Sequence, residues 1–201
     1  MQKIYPVWDW LKDRRHRQWL AMGLVALAVM IAALQLWQRN QEMNDPRNQR
    51  FFEWWGADAQ ARRNMITVQR EVCAGGVFIL PADGFVGLLY ADPRGPYSAT
   101  HRHQGIDIFS PTGPGITPVY AAYAGYITRE DGWISALIQR VPDDPLHPGR
   151  QIWLYYTHMA PADGQSDFIE EAFPQATHEL FVKQGTLLGY TGSYSGSPIN
   201  P

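Results

Sequence analysis

The stretch HRHQGID, residues 101–107, brings together side chains that can bind a metal ion. His103 is followed four residues later by Asp107, with Gly105 between them. A glycine lets the backbone bend, so an imidazole and a carboxylate at this spacing can point at one centre. Nitrogen and oxygen ligands at about 2.0–2.2 Å suit zinc. The spacing predicts a metal site at His103 and Asp107, although a surface histidine beside a turn-forming aspartate gives the same pattern.

A second candidate is His158, in the stretch YYTHM, residues 155–159. The aromatic-rich run that ends there is typical of a strand, and alternation then places Tyr156 and His158 on the same face. Catalytic histidines often stand at the end of a strand, where packed neighbours hold them. A histidine satisfied at a sheet edge has the same signature, so this motif alone leaves both interpretations open.

The elements that must position these residues are short strands. From Val77 onward, apolar runs rich in β-branched and aromatic residues are FVGLLY, GIDIF, VYAAYAGYIT, WISALIQR, QIWLYYTHM and TLLGY. Between them lie turn-forming stretches with Pro, Gly and Asp, namely PADG, DPRGP, SPTGPG, REDG, VPDDPLHPG and VKQG. This texture predicts a mostly β domain over residues 77–201. One helix is expected inside it, over 166–173, with Ser166 or Asp167 as its cap.

Four motifs together resemble a known family. HQGID, PVYAAYAGYIT, YYTHM and VKQGTLLGYTGSYSG follow the order found in the lysostaphin- or LytM-type zinc metallopeptidases. The resemblance covers the chain from about Val77 to its last residue, and it implies a compact β-sheet peptidase domain that cleaves peptide bonds of bacterial peptidoglycan. It further implies that His103 and Asp107 are the first two zinc ligands, and that His158 polarises the water or steadies the transition state. His101 is off register with these motifs.

The family's third zinc ligand comes from a His-x-His step on the strand after the glycine-rich turn. Here that turn is GSYSGSPINP, residues 192–201, and no histidine follows His178. A catalytic zinc normally has three protein ligands and keeps one position for water. We therefore expect the natural protein to continue past Pro201 and to supply the third ligand there, so that residues 1–201 alone are inactive and bind zinc weakly. The alternatives are a degenerate, non-catalytic module that binds cell wall or regulates other hydrolases, and a purely structural envelope anchor.

An uncharged run, WLAMGLVALAVMIAALQLW, occupies residues 19–37. As a helix it would be roughly 28 Å long, close to the hydrocarbon thickness of a bilayer. The basic residues before it are Lys3, Lys12, Arg14, Arg15 and Arg17. The positive-inside rule then predicts a cytoplasmic tail over residues 1–18, one transmembrane anchor over 19–37 and an extracytoplasmic remainder. A cleaved signal peptide and a buried helix are the alternatives.

Residues 38–76 are predicted to form a partly helical stalk between the anchor and the peptidase domain. Asp45-Pro46 is a natural helix start. The aromatic residues that follow either touch lipid headgroups or pack on the domain; they are Phe51, Phe52, Trp54 and Trp55.

Composition excludes several other classes of function. The formal net charge of −2 gives no electrostatic case for nucleic acid. Cys73 is the only cysteine in the sequence, so the chain has neither an internal disulfide nor a Cys-x-x-Cys site. The expected partners are therefore peptidoglycan peptide crosslinks and, through residues 19–37, the membrane.

Overall fold

An apolar N-terminal helix precedes a domain of antiparallel sheets in the computed structural model, which describes residues 14–68, 75–92 and 100–194. The helices in these ranges are α1 (Arg14–Met43), α2 (Pro46–Gly56) and α3 (Ala59–Met65). The strands are β1 (Phe85–Val86), β2 (Ile108–Phe109), β3 (Pro118–Tyr120), β4 (Gly125–Arg129), β5 (Leu137–Val141), β6 (Ile152–Tyr156), β7 (Thr177–Val182) and β8 (Leu187–Tyr190). The chain divides into two compact units, Met1–Phe52 and Glu53–Pro201.

Helix α1 contains the whole uncharged run 19–37. Its segment Arg14–Gln41 is long and apolar enough to cross a membrane. The large apolar side chains are exposed along its length, as Trp19 and Leu36 illustrate at 68% each. A helix satisfies its backbone hydrogen bonds internally, which is the condition for placing such a surface in lipid.

The second unit contains three antiparallel sheets within the described residues. β1 pairs with β2, and β3 pairs with β8. The largest sheet has the order β6-β5-β4-β7, in which β4, β5 and β6 form a consecutive meander and β7 returns to the free edge of β4.

The core lies against one face of the four-stranded sheet. Alternate residues of β5 are buried, and the two between them, Ile138 and Arg140, point to the other face. Ile127, Leu137 and Leu188 are completely buried in this core. Burial of such side chains is the main stabilising term of a small β domain.

A buried polar network joins the sheet to the loop after β3. Tyr156 donates its hydroxyl to Oε1 of Gln139 at 2.8 Å and accepts from the Ala122 N–H at 2.9 Å. The Gln139 amide donates to the Tyr123 carbonyl at 2.7 Å. Because burial disfavours the phenolate, it raises the pKa of Tyr156 well above its ordinary value. These bonds satisfy polar groups that would otherwise destabilise the core.

Helices α2 and α3 connect to the sheets through Trp54. Its ring is 3% exposed and stacks on Phe85, with centroids 5.1 Å apart. Arg62 donates to the Trp54 carbonyl at 3.0 Å and lies over the indole ring. Packing on the domain is therefore the outcome for Trp54. Trp55 is half exposed but also meets Phe109 of β2 edge-to-face, with centroids 5.7 Å apart, and Phe52 is half exposed. The second unit begins at Glu53, so it includes the latter part of the segment predicted to be a stalk.

The predicted helix over 166–173 is wrong. The backbone of this segment instead pairs with neighbouring segments of the same chain: Phe168 donates to the Met159 carbonyl, and Glu170 donates to the Leu188 carbonyl. Asp167 does not cap a helix, because its carboxylate binds Arg129 at 2.6 Å and the Ile169 N–H at 3.1 Å. Tertiary hydrogen bonds have overridden the local helical tendency.

Candidate metal centre

His103 and Asp107 are held by a backbone ladder that extends the β1–β2 pair. Gly87 donates to the Asp107 carbonyl at 3.0 Å, and Asp107 donates to the Leu88 carbonyl at 2.8 Å. Further along, Ala91 donates to His103 at 2.8 Å and His103 donates to Asp92 at 3.0 Å. Both ends of the segment 103–107 are therefore fixed by main-chain bonds, which limits the freedom of the two side chains.

The imidazole of His103 is oriented by a backbone carbonyl. The residue is 7% exposed, and its Nδ1 lies 3.1 Å from the oxygen of Leu89. A carbonyl oxygen only accepts, so Nδ1 carries the proton of this hydrogen bond. In the neutral ring, Nε2 then presents its lone pair, which is the form that binds metals.

That lone pair faces the carboxylate of Asp107. The distance from Nε2 to Oδ1 is 3.1 Å, and the Asp107 side chain is 32% exposed. Two acceptor atoms at this distance are stable only with a proton or another cation between them. Two bonds of about 2.1 Å at a tetrahedral angle place their ligand atoms about 3.4 Å apart, so the pair fits a shared zinc ion within a few tenths of an ångström.

Gly105 does not adopt the left-handed backbone conformation that favours glycine. A Cβ at this position would lie 3.7 Å from Nε2 of His103, an ordinary contact. The bend therefore does not depend on glycine geometry. A small side chain would therefore also fit beside the imidazole.

His158 lies two residues beyond the end of β6, with φ 64°. The alternation expected from the sequence therefore does not reach it: Tyr156 is buried and His158 is exposed. Its Nδ1 lies 2.5 Å from the carbonyl oxygen of Tyr194. As in His103, the carbonyl accepts a hydrogen bond from Nδ1–H, so in the neutral ring Nε2 carries the lone pair.

The glycine-rich turn supports His158 through close backbone packing. Gly192 donates to the His158 carbonyl at 2.7 Å, and Ser193 and Tyr194 both donate to the Ala160 carbonyl. A Cβ on Gly192 would lie 2.0 Å from the oxygen of Ala160 and 2.6 Å from that of His158. Only glycine fits here. The rest of the turn, residues 195–201, lies outside the described residues.

The structure brings together His103 and Asp107 but does not add His158 to them as a third ligand. Within residues 14–68, 75–92 and 100–194, no group of three or more His, Cys, Asp or Glu side chains is arranged to hold one metal ion. The sequence could not show that the Leu89 and Tyr194 carbonyls orient the two imidazoles, because every residue type has a backbone carbonyl. Gly192 was visible as part of a glycine-rich turn, but its packing against residues 158–160 was not.

No family model, curated protein or solved structure matches the chain. The functional assignment therefore depends on the residues and geometry described above.

Proposed function

We propose that this chain is a membrane-anchored zinc metalloendopeptidase that hydrolyses peptide crosslinks of bacterial peptidoglycan. The observation that supports it most strongly is the opposed pair of acceptors, Nε2 of His103 and Oδ1 of Asp107, 3.1 Å apart. The order of the four sequence motifs gives the reaction class. The exposed apolar helix gives the attachment to the membrane.

Each site residue has a distinct role in this proposal. His103 and Asp107 hold the ion, and the Leu89 carbonyl keeps the imidazole in the tautomer that offers Nε2. Bound zinc supplies Lewis-acid polarisation of the scissile carbonyl and a water of lowered pKa. His158, with its Nδ1 against the Tyr194 carbonyl, directs Nε2 outward to accept or donate a proton near the reacting carbonyl.

A catalytic zinc site needs a third protein ligand. In the family that the motifs resemble, this ligand comes from a His-x-His step after the glycine-rich turn, and the described residues place no third ligand beside His103 and Asp107.

The first experiment measures zinc content after purification and dialysis. His103→Ala is expected to reduce bound zinc at least about tenfold, because loss of one of three ligands leaves an incomplete coordination shell. His101→Ala, two residues away and off register, serves as the matched control and should retain zinc. Equal zinc content in the wild type and the His103→Ala variant would contradict the proposed site.

The second experiment profiles muropeptides after digestion of purified peptidoglycan. Loss of crosslinked species with the wild type, but not with His103→Ala or His158→Ala, is the expected result. His158→Ala should keep its zinc, since the residue is not assigned as a ligand. An unchanged profile with zinc bound would instead favour the non-catalytic module that binds cell wall or regulates other hydrolases.

The orientation in the membrane is part of the same proposal. The basic residues Arg14, Arg15 and Arg17 at the start of α1 favour a cytoplasmic N-terminus and an extracytoplasmic sheet domain. Fusions placed after Trp37 and after Pro201 should activate a reporter that works only outside the cytoplasm. Strong signal from a cytoplasm-only reporter at either position would reverse the orientation.

A further inference from the structure

The four-stranded sheet has a groove on the face turned away from the core. Its cavity volume is about 660 Å³, within the range of about 300–1,000 Å³ typical of small-ligand sites. Thr128 of β4 and Ile138 of β5 line it, and these two residues are paired across the strands. The groove is separate from the pair His103 and Asp107, which do not line it.

One wall of the groove is aromatic. Trp153 on β6 lines it and is 50% exposed. Trp133, from the loop after β4, lines it as well and meets Tyr155 edge-to-face with centroids 6.0 Å apart. The Trp133 carbonyl accepts from buried Arg129 at 3.0 Å, which anchors that loop to the sheet. This wall therefore presents two indole rings, one on strand β6 and one on a loop that Arg129 holds in place.

The opposite wall is polar and comes from the end of β4 and from the edge strand β7. Glu130, His178 and Glu179 line it. Arg140 donates to Glu179 at 2.8 Å and lies over the Tyr126 ring at 4.8 Å. The hydrogen bond from Arg140 lowers the pKa of Glu179, so at neutral pH this carboxylate is an ionised acceptor.

The aromatic and polar walls differ in what they can bind, and they meet at the loop after β4, where the Trp133 N–H donates to the Glu130 carbonyl at 3.2 Å. Aromatic faces are electron-rich and attract the weakly positive C–H groups of a ligand. Carboxylates accept hydrogen bonds from hydroxyl groups. A pyranose ring carries both features, a C–H face and a hydroxyl rim. Glu130 and Glu179 would repel phosphates, and an apolar peptide would desolvate them without a compensating bond.

We propose that this groove binds a polysaccharide strand, with one sugar ring stacked on Trp153 and the hydroxyl groups of neighbouring sugars bonded to the polar wall. That the strand is the amino-sugar backbone of peptidoglycan rests on the proposed function. Such a site would hold the domain on the glycan while a separate centre acts on the peptide crosslinks.

The test uses the full chain, purified in a detergent without a sugar headgroup, and its retention on insoluble chitin. Chitin is a β-linked amino-sugar polymer without peptide, so peptidase activity cannot influence the result. Trp153→Ala is expected to weaken retention about tenfold, and Trp153→Phe should restore part of it because one aromatic face remains. Phe181→Ala is the matched control, since Phe181 is 54% exposed on the same sheet but does not line the groove.

The outcomes separate this inference from the proposed function. Retention that depends on Trp153 but not on Phe181, in variants with unchanged urea midpoints, supports the groove. Absence of retention on chitin, or equal retention of wild type and Trp153→Ala, overturns it. His103→Ala should bind chitin normally, because His103 does not line the groove. Retention of a wild-type protein that has no peptidase activity would refute the enzyme and keep the glycan site.

Discussion

The two candidate histidines, His103 and His158, are oriented by the same kind of hydrogen bond. In each, Nδ1 faces a backbone carbonyl, from Leu89 for His103 and from Tyr194 for His158. The tautomer is thereby set by the main chain, and Nε2 becomes the nitrogen available for chemistry. The sequence identifies the imidazoles and their spacing to Asp107. It cannot identify the carbonyls, since their positions depend on how the chain folds.

Gly192 provides a prediction about the support of His158. A Cβ there would lie 2.4 Å or less from the backbone nitrogen and oxygen of Ala160, atoms that cannot rotate away. Gly192→Ala should therefore lower the free energy of unfolding by about 3 kcal/mol, at the upper end of overpacking costs. Urea denaturation measures the change.

The matched control is Gly113→Ala, where the new Cβ would meet its nearest atom, on Ile116, at 3.9 Å. This variant should stay within about 0.5 kcal/mol of the wild type. Comparable stability of the two variants would show that the turn does not pack on residues 158–160 as described.

At the level of elements, the six apolar runs coincide with seven of the eight described strands, because the run VYAAYAGYIT covers both β3 and β4. Strand β6 lies inside the run QIWLYYTHM, and β8 lies inside TLLGY. Strand β7 was missed. It is an edge strand with a bulge and mostly exposed residues, so it lacks the alternation that marks a half-buried strand. The sheet domain after an apolar helix is confirmed, whereas the single helix expected inside that domain is not.

Arg129 joins β4 to the loop that follows it and to the distant segment 161–176. The side chain is 3% exposed and donates to the carbonyls of Trp133 and Phe173 and to the carboxylate of Asp167. Lysine has one nitrogen and cannot reproduce this fork. Arg129→Lys should therefore leave at least one buried carbonyl unpaired and cost about 1–3 kcal/mol in a urea titration.

Arg63→Lys is the control for that substitution, because Arg63 is exposed and donates only to Gln60 among the described contacts. Its effect should be under about 0.5 kcal/mol. If Arg129→Lys were equally mild, the attachment of the 161–176 segment to β4 would have to lie elsewhere.

Trp54 provides a test of the helix-to-sheet contact. Because its ring is buried against Phe85, Trp54→Ala should cost about 3–5 kcal/mol of unfolding free energy. Trp55→Ala removes the same side chain from a site that is 55% exposed, and it should cost clearly less. Thermal or urea unfolding measures the loss of stability in both variants. Equal losses of unfolding free energy would contradict the packing of Trp54 on Phe85.

Three carboxylates that accept ionic or backbone hydrogen bonds should contribute to the acid sensitivity of the fold. The pKa of Asp144 is lowered by the Arg150 guanidinium, that of Glu179 by Arg140 and that of Asp58 by the Ala61 N–H. A carboxyl whose folded pKa is depressed stabilises the fold above its unfolded pKa and loses that contribution as pH falls through the folded value. The unfolded values are about 3.9 for Asp and 4.3 for Glu.

The urea midpoint should accordingly be nearly constant from pH 7 to pH 5 and fall below about pH 4. Asp144→Asn should lower the midpoint at pH 7 and make the acid-induced fall smaller, because the buried carboxylate that binds Arg150 is gone. Glu171→Gln, at an exposed turn residue, controls for the loss of one negative charge. An unchanged acid dependence in Asp144→Asn would remove this carboxylate from the explanation.

The pairing of β3 with β8 determines when the sheet domain can be completed during biosynthesis. Nearly all of the described sheet domain after β3 lies between these two strands, so their contact closes a long loop and forms slowly relative to the β4–β5–β6 meander. Gly192 and Tyr194 follow β8 directly. A nascent chain leaving the ribosome therefore completes the meander first, and His158 acquires both of its backbone partners only when the segment 187–194 has emerged. The surroundings of His158 are in this order completed late in translation.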